Sequence, residues 1–359
     1  MTSGRQYPPL ISHLVDVHCH PTDTQIIDED IDALPLRLCA MASRDSDQQL
    51  VADLARKWPH KIIPCFGWHP WVSHTVSLES PPQPKAAHYA ALLLPERSSD
   101  NALSDEEFKT VLSSLPEPKP LSEVGLDRSF RLPFTPFGDR NNPSYENRRL
   151  SSFTVPLEHQ LAILEAQIGL AVEFGRNVSM HSVKAQQATV ELLKRCSSQH
   201  GEAWDRISFD LHSCGLRAET WREIEKAHNN VYISLSAVIN TRSQSHENLI
   251  QACAPNRILV ESDFNDAKHC AEQTWKMLLV IARVKKWKVE ESEEEIEAST
   301  SNPGAIRRIR DNYGAFVRGN HARVVPKLSG KIRKRNDFPH AEEDWEDDTD
   351  EPEVVYGDN

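Results

Sequence analysis

The 359-residue sequence predicts an α/β fold: a TIM-type (β/α)8 barrel with two long loop insertions and a disordered, charged C-terminal tail. Three observations predict it. Eight short apolar runs are separated in many places by helical patterns, which indicates a parallel sheet covered by helices, and eight such units make a barrel. Histidines and acids fall in step with the C-terminal ends of these runs. Two Pro- and Ser-rich stretches exceed the pattern, and the last segment loses its apolar content.

The first strand is expected at 14–17 (LVDV), the second at 36–41 (LRLCAM), the third at 62–66 (IIPCF) and a weaker fourth at 121–125 (LSEVG). Residues 177–180 (NVSM), 207–211 (ISFDL), 231–235 (VYISL) and 258–260 (ILV) complete the set. Helical spacing is clearest over 156–174, where Leu157, Leu161, Leu164, Ile168 and Val172 recur on one face. Residues 43–58 and 185–195 follow their strands in the same way. The stretches 72–117 and 130–152 read as surface insertions or long loops; each follows a strand and so overhangs the face where strand-to-helix loops gather. The polar run 290–298 (EESEEEIEA) reads as a solvated helix face or loop. The barrel domain is thus expected over 1–325. In 326–359 a basic cluster (Lys327, Lys331, Arg333, Lys334, Arg335) precedes an acidic run, with too few apolar residues to offset ordering entropy.

Hydrophobic residues make up 39% of the chain and charged residues 26%, with a net charge of -12. Residues 341–359 hold ten acids and no Lys or Arg, which leaves the body near -2. The acidity therefore describes the tail and does not exclude a nucleic-acid substrate. Seven cysteines with no C-x-x-C spacing argue against a disulfide framework or a zinc ribbon, and fit reduced thiols in the cytoplasm or nucleus. The N-terminus lacks a basic-then-apolar signal, and no apolar run reaches the ~18 residues of a membrane span. The expectation is a soluble protein of the cytoplasm and/or nucleus, with no membrane contact.

His18 and His20 stand just after the first strand, and His69 just after the third. Glu123 lies in the fourth, His181 ends the fifth, His212 ends the sixth, and Glu261 and Asp263 follow the eighth. That is the face where such barrels do chemistry. Taken singly, His69 or His212 reads as a structural histidine; taken together, the set reads as a binuclear metal site. A Glu inside a short strand needs a partner or a ligand, because burying a lone carboxylate is costly. Imidazoles with carboxylates suit zinc, manganese or iron, and a carboxylate-richer site with waters suits magnesium. Two ions can clamp the attacking and leaving oxygens of an in-line displacement. Glu123, from the middle of the set, is the natural bridging carboxylate. Asp263 could orient the attacking water and take its proton. His13, His60, His74, His88, His159 and His200 show no such phase.

The motifs Asp16-Val17-His18-Cys19-His20, Gly67-Trp68-His69-Pro70, Ser122-Glu123-Val124-Gly125-Leu126-Asp127, His159-Gln160 ahead of Val178-Ser179-Met180-His181-Ser182, Leu211-His212-Ser213-Cys214-Gly215 and Glu261-Ser262-Asp263 occur in an order that resembles the TatD family of metal-dependent deoxyribonucleases. The likeness spans 14–265, and 311–316 (DNYGAF) looks like that family's closing helix. The resemblance implies one divalent ion on His18, His20, Glu123 and Asp263. It implies a second on the shared Glu123 with His181 and His212, and a substrate phosphate at His69. The ions would be Mg, Mn or Zn. Val183 and Lys184 stand where the family has Arg and an acid, Cys214 belongs to a shortened His-Ser-Cys-Gly motif, and Phe264-Asn265 replaces Ala-Pro. These departures fit a divergent fungal-type branch.

The resemblance implies a phosphodiesterase acting on DNA, single-stranded or at 3' ends, in the manner of a 3'-5' exonuclease. Trp68 and Trp71, beside His69, either stack bases or pack under the insertion. Hydrolysis of another ester or amide on the same site is the first alternative. The second is an interaction protein that docks through tail or insertions, since some fungal relatives are partners of a cell-cycle ubiquitin-ligase subunit.

Overall fold

The structure, a computed structural model, describes residues 7–95, 105–116, 118–120, 125–134, 150–243 and 245–324. The expectations for Glu123 and for a disordered tail over 326–359 concern residues outside these.

Eight parallel strands carry the fold: β1 Val15–Cys19, β2 Arg37–Ala42, β3 Ile62–Phe66, β4 Leu126–Asp127, β5 Val178–Val183, β6 Phe209–His212, β7 Val231–Ser236 and β8 Ile258–Glu261. They form two sheets, β1-β2-β3 and β4-β5-β6-β7-β8. The sheets meet beyond the ends of β1 and β8, where the Asp263 N–H donates to the His18 carbonyl at 2.9 Å and the His20 N–H to the Phe264 carbonyl at 2.8 Å. Helices α1 Asp45–Lys57, α2 Leu157–Glu173, α3 Gln186–His200, α4 Ala218–Ala227, α5 Ala267–Lys285 and α6 Ala305–Arg318 follow strands or close the fold.

The fourth strand is expected at 121–125, of which 121–124 lie outside the described residues; the described strand is Leu126–Asp127. Its position is set by Gln160 of α2, whose Oε1 accepts the Asp127 N–H at 2.7 Å and whose Nε2 donates to the Asp127 carbonyl at 3.1 Å. Gly125 lets this segment approach β5, since a Cβ there would stand 2.9 Å from His181 Cβ.

Alternation sorts the side chains. Leu211, Ile233, Leu235, Ile258 and Val260 face outward into the main core, with Leu278 and Ile281 of α5 and the buried Trp204 and Trp221. The residues between them face inward. Val17, Tyr232 and Leu259 form an apolar floor against Tyr313 and Phe316 of α6. Ser179, Asp210, Ser234 and Glu261 form a hydrogen-bonded polar layer. The β1–β2 register slips by one residue between Asp16 and Cys19. That slip allows Val17 to join the floor while His18 and His20 reach the mouth.

Helix α6 is tied in from three sides. The Asn312 amide donates to the Pro255 and Ile258 carbonyls at 2.9 and 2.8 Å. Asn177 and Ser208 donate to the Phe316 carbonyl at 3.0 and 2.5 Å. Glu290, from the run expected to be solvated, is only 5% exposed. It accepts the Ile306 and Arg307 N–H groups at 2.9 and 3.1 Å and so satisfies the start of α6.

The described parts of the two insertions are more ordered than loops. They contain helices Lys85–Leu92 and Asp105–Ser114 and an antiparallel sheet of Leu94–Pro95, Leu150–Thr154 and Arg131–Pro133. Tyr89, Leu92, Val111, Phe130, Leu132 and Phe153 give this unit its own apolar core. The sequence showed polar, Pro-rich segments because each contributes only a few apolar residues, and the core exists only when both are combined. All seven cysteines are free thiols. No helix among the described residues is long and apolar enough to cross a membrane.

Two predictions follow from the floor and the core. Asn312→Ala leaves two carbonyls without their donor and should lower stability by roughly 2 kcal/mol in urea unfolding. His228 is 6% exposed, and burial, reinforced by Arg257, holds it near pKa 4 instead of 6.5. Its folded value is depressed, so the unfolded chain takes the proton first. Stability is then full above pH 6.5 and lost as pH falls towards 4. Urea midpoints measured over that range should fall less steeply in His228→Gln than in the wild type.

Candidate metal centre

The mouth of the barrel gathers five of the histidines that the sequence placed at strand ends. β5 and β6 pair with His181 opposite His212, which brings their rings to 5.3 Å. His18 stacks on His212 at 3.5 Å with the planes 10° apart. His18 Nε2 and His20 Nε2 face each other at 3.2 Å. His69 meets His181 edge-on at 4.5 Å. Asp263 joins them, with Oδ1 3.6 Å from His20 Nε2. Its left-handed backbone (φ 48°) turns the chain sharply after β8, and Lys184 (φ 49°) and Ser213 (φ 42°) do the same after β5 and β6.

Burial decides the charge state of these rings. His18 and His69 are held well below the ordinary imidazole range, first by desolvation and then by the neighbouring histidines. Desolvation puts His212 near pKa 3 despite the opposing effect of Asp263. Such rings are neutral at physiological pH and each presents a lone pair. Hydrogen bonds select the tautomer of His18. Ser179 directs its proton to Asp210 Oδ2 at 3.4 Å, so the His18 Nδ1–H donates to Ser179 Oγ at 2.8 Å and Nε2 is left as an acceptor.

The polar layer beneath is acidic. Ser234 Oγ lies 2.6 Å from Asp210 Oδ2 and also contacts Glu261 Oε2. A hydroxyl has one proton to give, so the two carboxyls compete for it. Desolvation, followed by Asp263, raises Glu261 to about pKa 8, and desolvation with Glu261 raises Asp210 well above the usual range.

These residues fit divalent metal. His18, His212 and Asp263 bring one donor atom each within 4.8 Å of one another. His20 Nδ1 is buried without a hydrogen-bond partner, an expensive arrangement unless something accepts its lone pair, and His181 Nε2 and His212 Nδ1 have only the carboxyls of Asp127 and Glu261 near them, at 3.5 and 3.8 Å. Asp16, Cys19 and Cys270 form a second close group. There the thiols donate to the Cys39 and Asp266 carbonyls, which is a packing arrangement.

Of the residues singled out from sequence, the structure brings together His18, His20, His69, His181, His212 and Asp263; Glu123 lies outside the described residues. Trp68 does not join them. It is 7% exposed, packs with Val76 and Ile163, and donates its indole N–H to Thr75 at 3.3 Å. This is the packing alternative for Trp68, and its ring offers no face to a base. Trp71 stacks on Phe130 at 5.7 Å, meets His69 edge-on at 4.7 Å, and donates to Asp127 Oδ2 at 2.6 Å.

Asp127 is the site residue that sequence reasoning quoted but gave no role. Its Oδ1 accepts from the Ser129 N–H and hydroxyl at 2.8 and 2.7 Å, and its Oδ2 lies 3.5 Å from His181 Nε2. Burial opposes its charge, but His181, Trp71 and Ser129 outweigh this and hold its pKa below the usual value. Its position four residues after Glu123 was the available signal.

Metal should stabilise the fold by mass action, by about 2.7 kcal/mol at 100 times the dissociation constant. Manganese or zinc should therefore raise the melting temperature and EDTA should reverse the effect. His20→Ala should lose most of the rise.

The fold and mouth can be compared with known proteins. The chain is 29% identical to Cut9-interacting protein scn1 of Schizosaccharomyces pombe, over 85% of this chain and 98% of that protein. It is 27% identical to a Saccharomyces cerevisiae protein named uncharacterized deoxyribonuclease YMR262W, over 86% of this chain and 100% of that one. In fold it resembles the TatD homologue YJJV of Escherichia coli (TM-score 0.50, 15% identity, 86% of this chain and 98% of that one). It also resembles a hydrolase TatD family protein of Entamoeba histolytica (TM-score 0.51, 10% identity, 85% and 97%). The family profile described as TatD related DNase matches residues 15–306, and the chain belongs to that family.

Proposed function

We propose that this chain is a metal-dependent phosphodiesterase that cleaves DNA, single-stranded or from 3' ends, with His18, His20, His181, His212, Glu123 and Asp263 holding two divalent ions. The observation that carries the reading is the mouth itself, where His18 and His212, both held neutral by burial, bring donor atoms within 4.8 Å of Asp263. Divalent cations supply Lewis acidity towards a phosphoryl oxygen and lower the pKa of water. The name of the S. cerevisiae relative, a deoxyribonuclease, supports the substrate class.

The chain's own residues then have distinct tasks. Asp263, at the end of β8 and hydrogen-bonded through its backbone to β1, orients the attacking water and takes its proton. His69 receives the Trp71 N–H on Nδ1 at 3.3 Å, so its neutral ring carries the remaining proton on Nε2. That makes it a donor to a phosphate oxygen rather than a competing ligand. Asp127 braces this arrangement by holding Trp71 and standing beside His181. Ser179 fixes the His18 tautomer.

The test is hydrolysis of 3'-labelled single-stranded DNA by the full chain with magnesium or manganese. Asp263→Asn should lower kcat by at least about 100-fold, the scale of losing a general base, while DNA binding persists. His69→Ala should mainly raise KM. Equal rates for wild type and Asp263→Asn, or no cleavage by either, would sink the proposal. The name of scn1 favours a second reading, an interaction role. Capture of a protein partner that survives Asp263→Asn would support it.

A further inference from the structure

The loops at the mouth are not alike in charge. After β1, Asp23 is paired with Arg44 at 2.5 Å, and Asp28 and Asp32 are held by Lys57 and Trp58 where α1 leads into β3, away from the mouth. The loops after β4, β5, β6 and β7 differ. Residues 128–134, 184–185, 213–217 and 237–243 contain no acid, in a chain with 53 acidic and 41 basic residues. They contain Arg128, Lys184 and Arg242, all exposed. Many cations on the helices are held by acids, as in Arg195–Glu165, Lys276–Glu272 and Arg283–Glu247. Among the described residues no ion pair engages Arg128, Lys184 or Arg242.

These cations lie on one connected arc. The Arg128 N–H donates to the Val183 carbonyl at 3.2 Å, next to Lys184. The Arg217 N–H of the β6 loop reaches Gln186 Oε1 at 3.2 Å, two residues beyond Lys184. The Asn240 amide of the β7 loop reaches the Cys214 carbonyl at 3.4 Å. Lys184 also follows His181 by three residues, and Arg128 adjoins Asp127, which lies 3.5 Å from His181. The arc therefore borders the metal centre on one side. Four neighbouring strands span roughly 14 Å, counted as three gaps of 4.7–4.9 Å. That exceeds the ~3.4 Å between successive charges along one strand of a nucleic acid.

We infer that Arg128, Lys184 and Arg242 form a track for the backbone of a single-stranded nucleic acid whose scissile phosphate lies at the metal centre. This rests on the proposed hydrolysis and goes beyond it, because it assigns residues to polymer binding and gives the strand a side of approach. Unpaired exposed cations attract phosphates without prior desolvation or loss of an ion pair. A mononucleotide is too short to use the arc.

The experiment uses the full chain carrying Asp263→Asn, so that DNA is bound and not consumed. Binding of a labelled oligothymidylate is read by fluorescence anisotropy across a salt series. Adding Arg128→Gln, Lys184→Gln and Arg242→Gln should raise Kd at least tenfold and reduce the slope of log Kd against log salt by about 2, at ~0.7 per lost phosphate contact. Neutralising Lys194, Lys226 and Lys276 on the helices removes the same charge elsewhere and should change Kd less than twofold. Equal losses from the two triples would overturn the track in favour of net charge alone. Competition by polyglutamate as strong as by oligothymidylate would overturn it in favour of an acidic polypeptide. Hydrolysis of bis(p-nitrophenyl) phosphate by the otherwise wild-type chain separates the two readings. Track-dependent binding without that turnover leaves the track and removes the hydrolase; turnover with binding indifferent to the triple leaves the hydrolase and removes the track.

Discussion

The organising constraint of this molecule is the electrostatic cost of its barrel mouth. Five imidazoles and a carboxylate meet where water is largely excluded, above a layer in which Asp210 and Glu261 share one serine hydroxyl. Burial keeps His18, His69 and His212 neutral, and His20 Nδ1 has no hydrogen-bond partner. Apolar packing alone would favour other residues there. The arrangement persists because the surrounding barrel imposes it: the slip in β1, the His181–His212 register and the left-handed turn at Asp263 each fix one ligand direction. Left-handed turns at Lys184, Ser213 and Asp263 mark the mouth, and the stabilising apolar contacts lie outside the strands and at the floor.

Much of this was legible in the sequence because strand ends have a phase. His18, His181, His212 and Asp263 stood at the ends of apolar runs, and apolar runs of that length can be read without knowing their partners. β4 was harder, because its position depends on Gln160, a side chain 33 residues away, and on what Gly125 permits. Trp68 and Trp71 could not be separated by sequence, since both follow β3 and their difference is one of direction. Trp68 turns down onto Ile163, while Trp71 turns towards Phe130 and Asp127. The insertion core was invisible for another reason. Tyr89 and Val111 come from one segment and Phe130 and Phe153 from another, and neither segment has periodicity enough to announce a shared interior.

Trp71 links the two halves of the molecule. Its ring belongs to the insertion core, its edge touches His69, and its N–H occupies an oxygen of Asp127. Displacement of the insertion would thus be felt at His69 and His181 without any change in the ligand set. The same geometry explains how a family site can be kept while its borders diverge. Lys184 lies exposed in the loop after β5 and Cys214 is buried in the main core, whereas the imidazoles are fixed by strands.

The floor has a consequence for how the chain is made. Synthesis delivers β1 first and α6 among the last described elements, yet the floor of Val17, Tyr232 and Leu259 packs against Tyr313 and Phe316 of α6, nearly 300 residues after Val17. Until α6 emerges from the ribosome, the lower lumen stands open to water beneath the polar layer, and the register of the whole barrel lacks its last clamp at Asn312. Vectorial synthesis therefore cannot complete this site piecemeal. The histidines of the mouth acquire their final environment only when the opposite end is closed, which makes a late step of biogenesis the gate to any metal they hold.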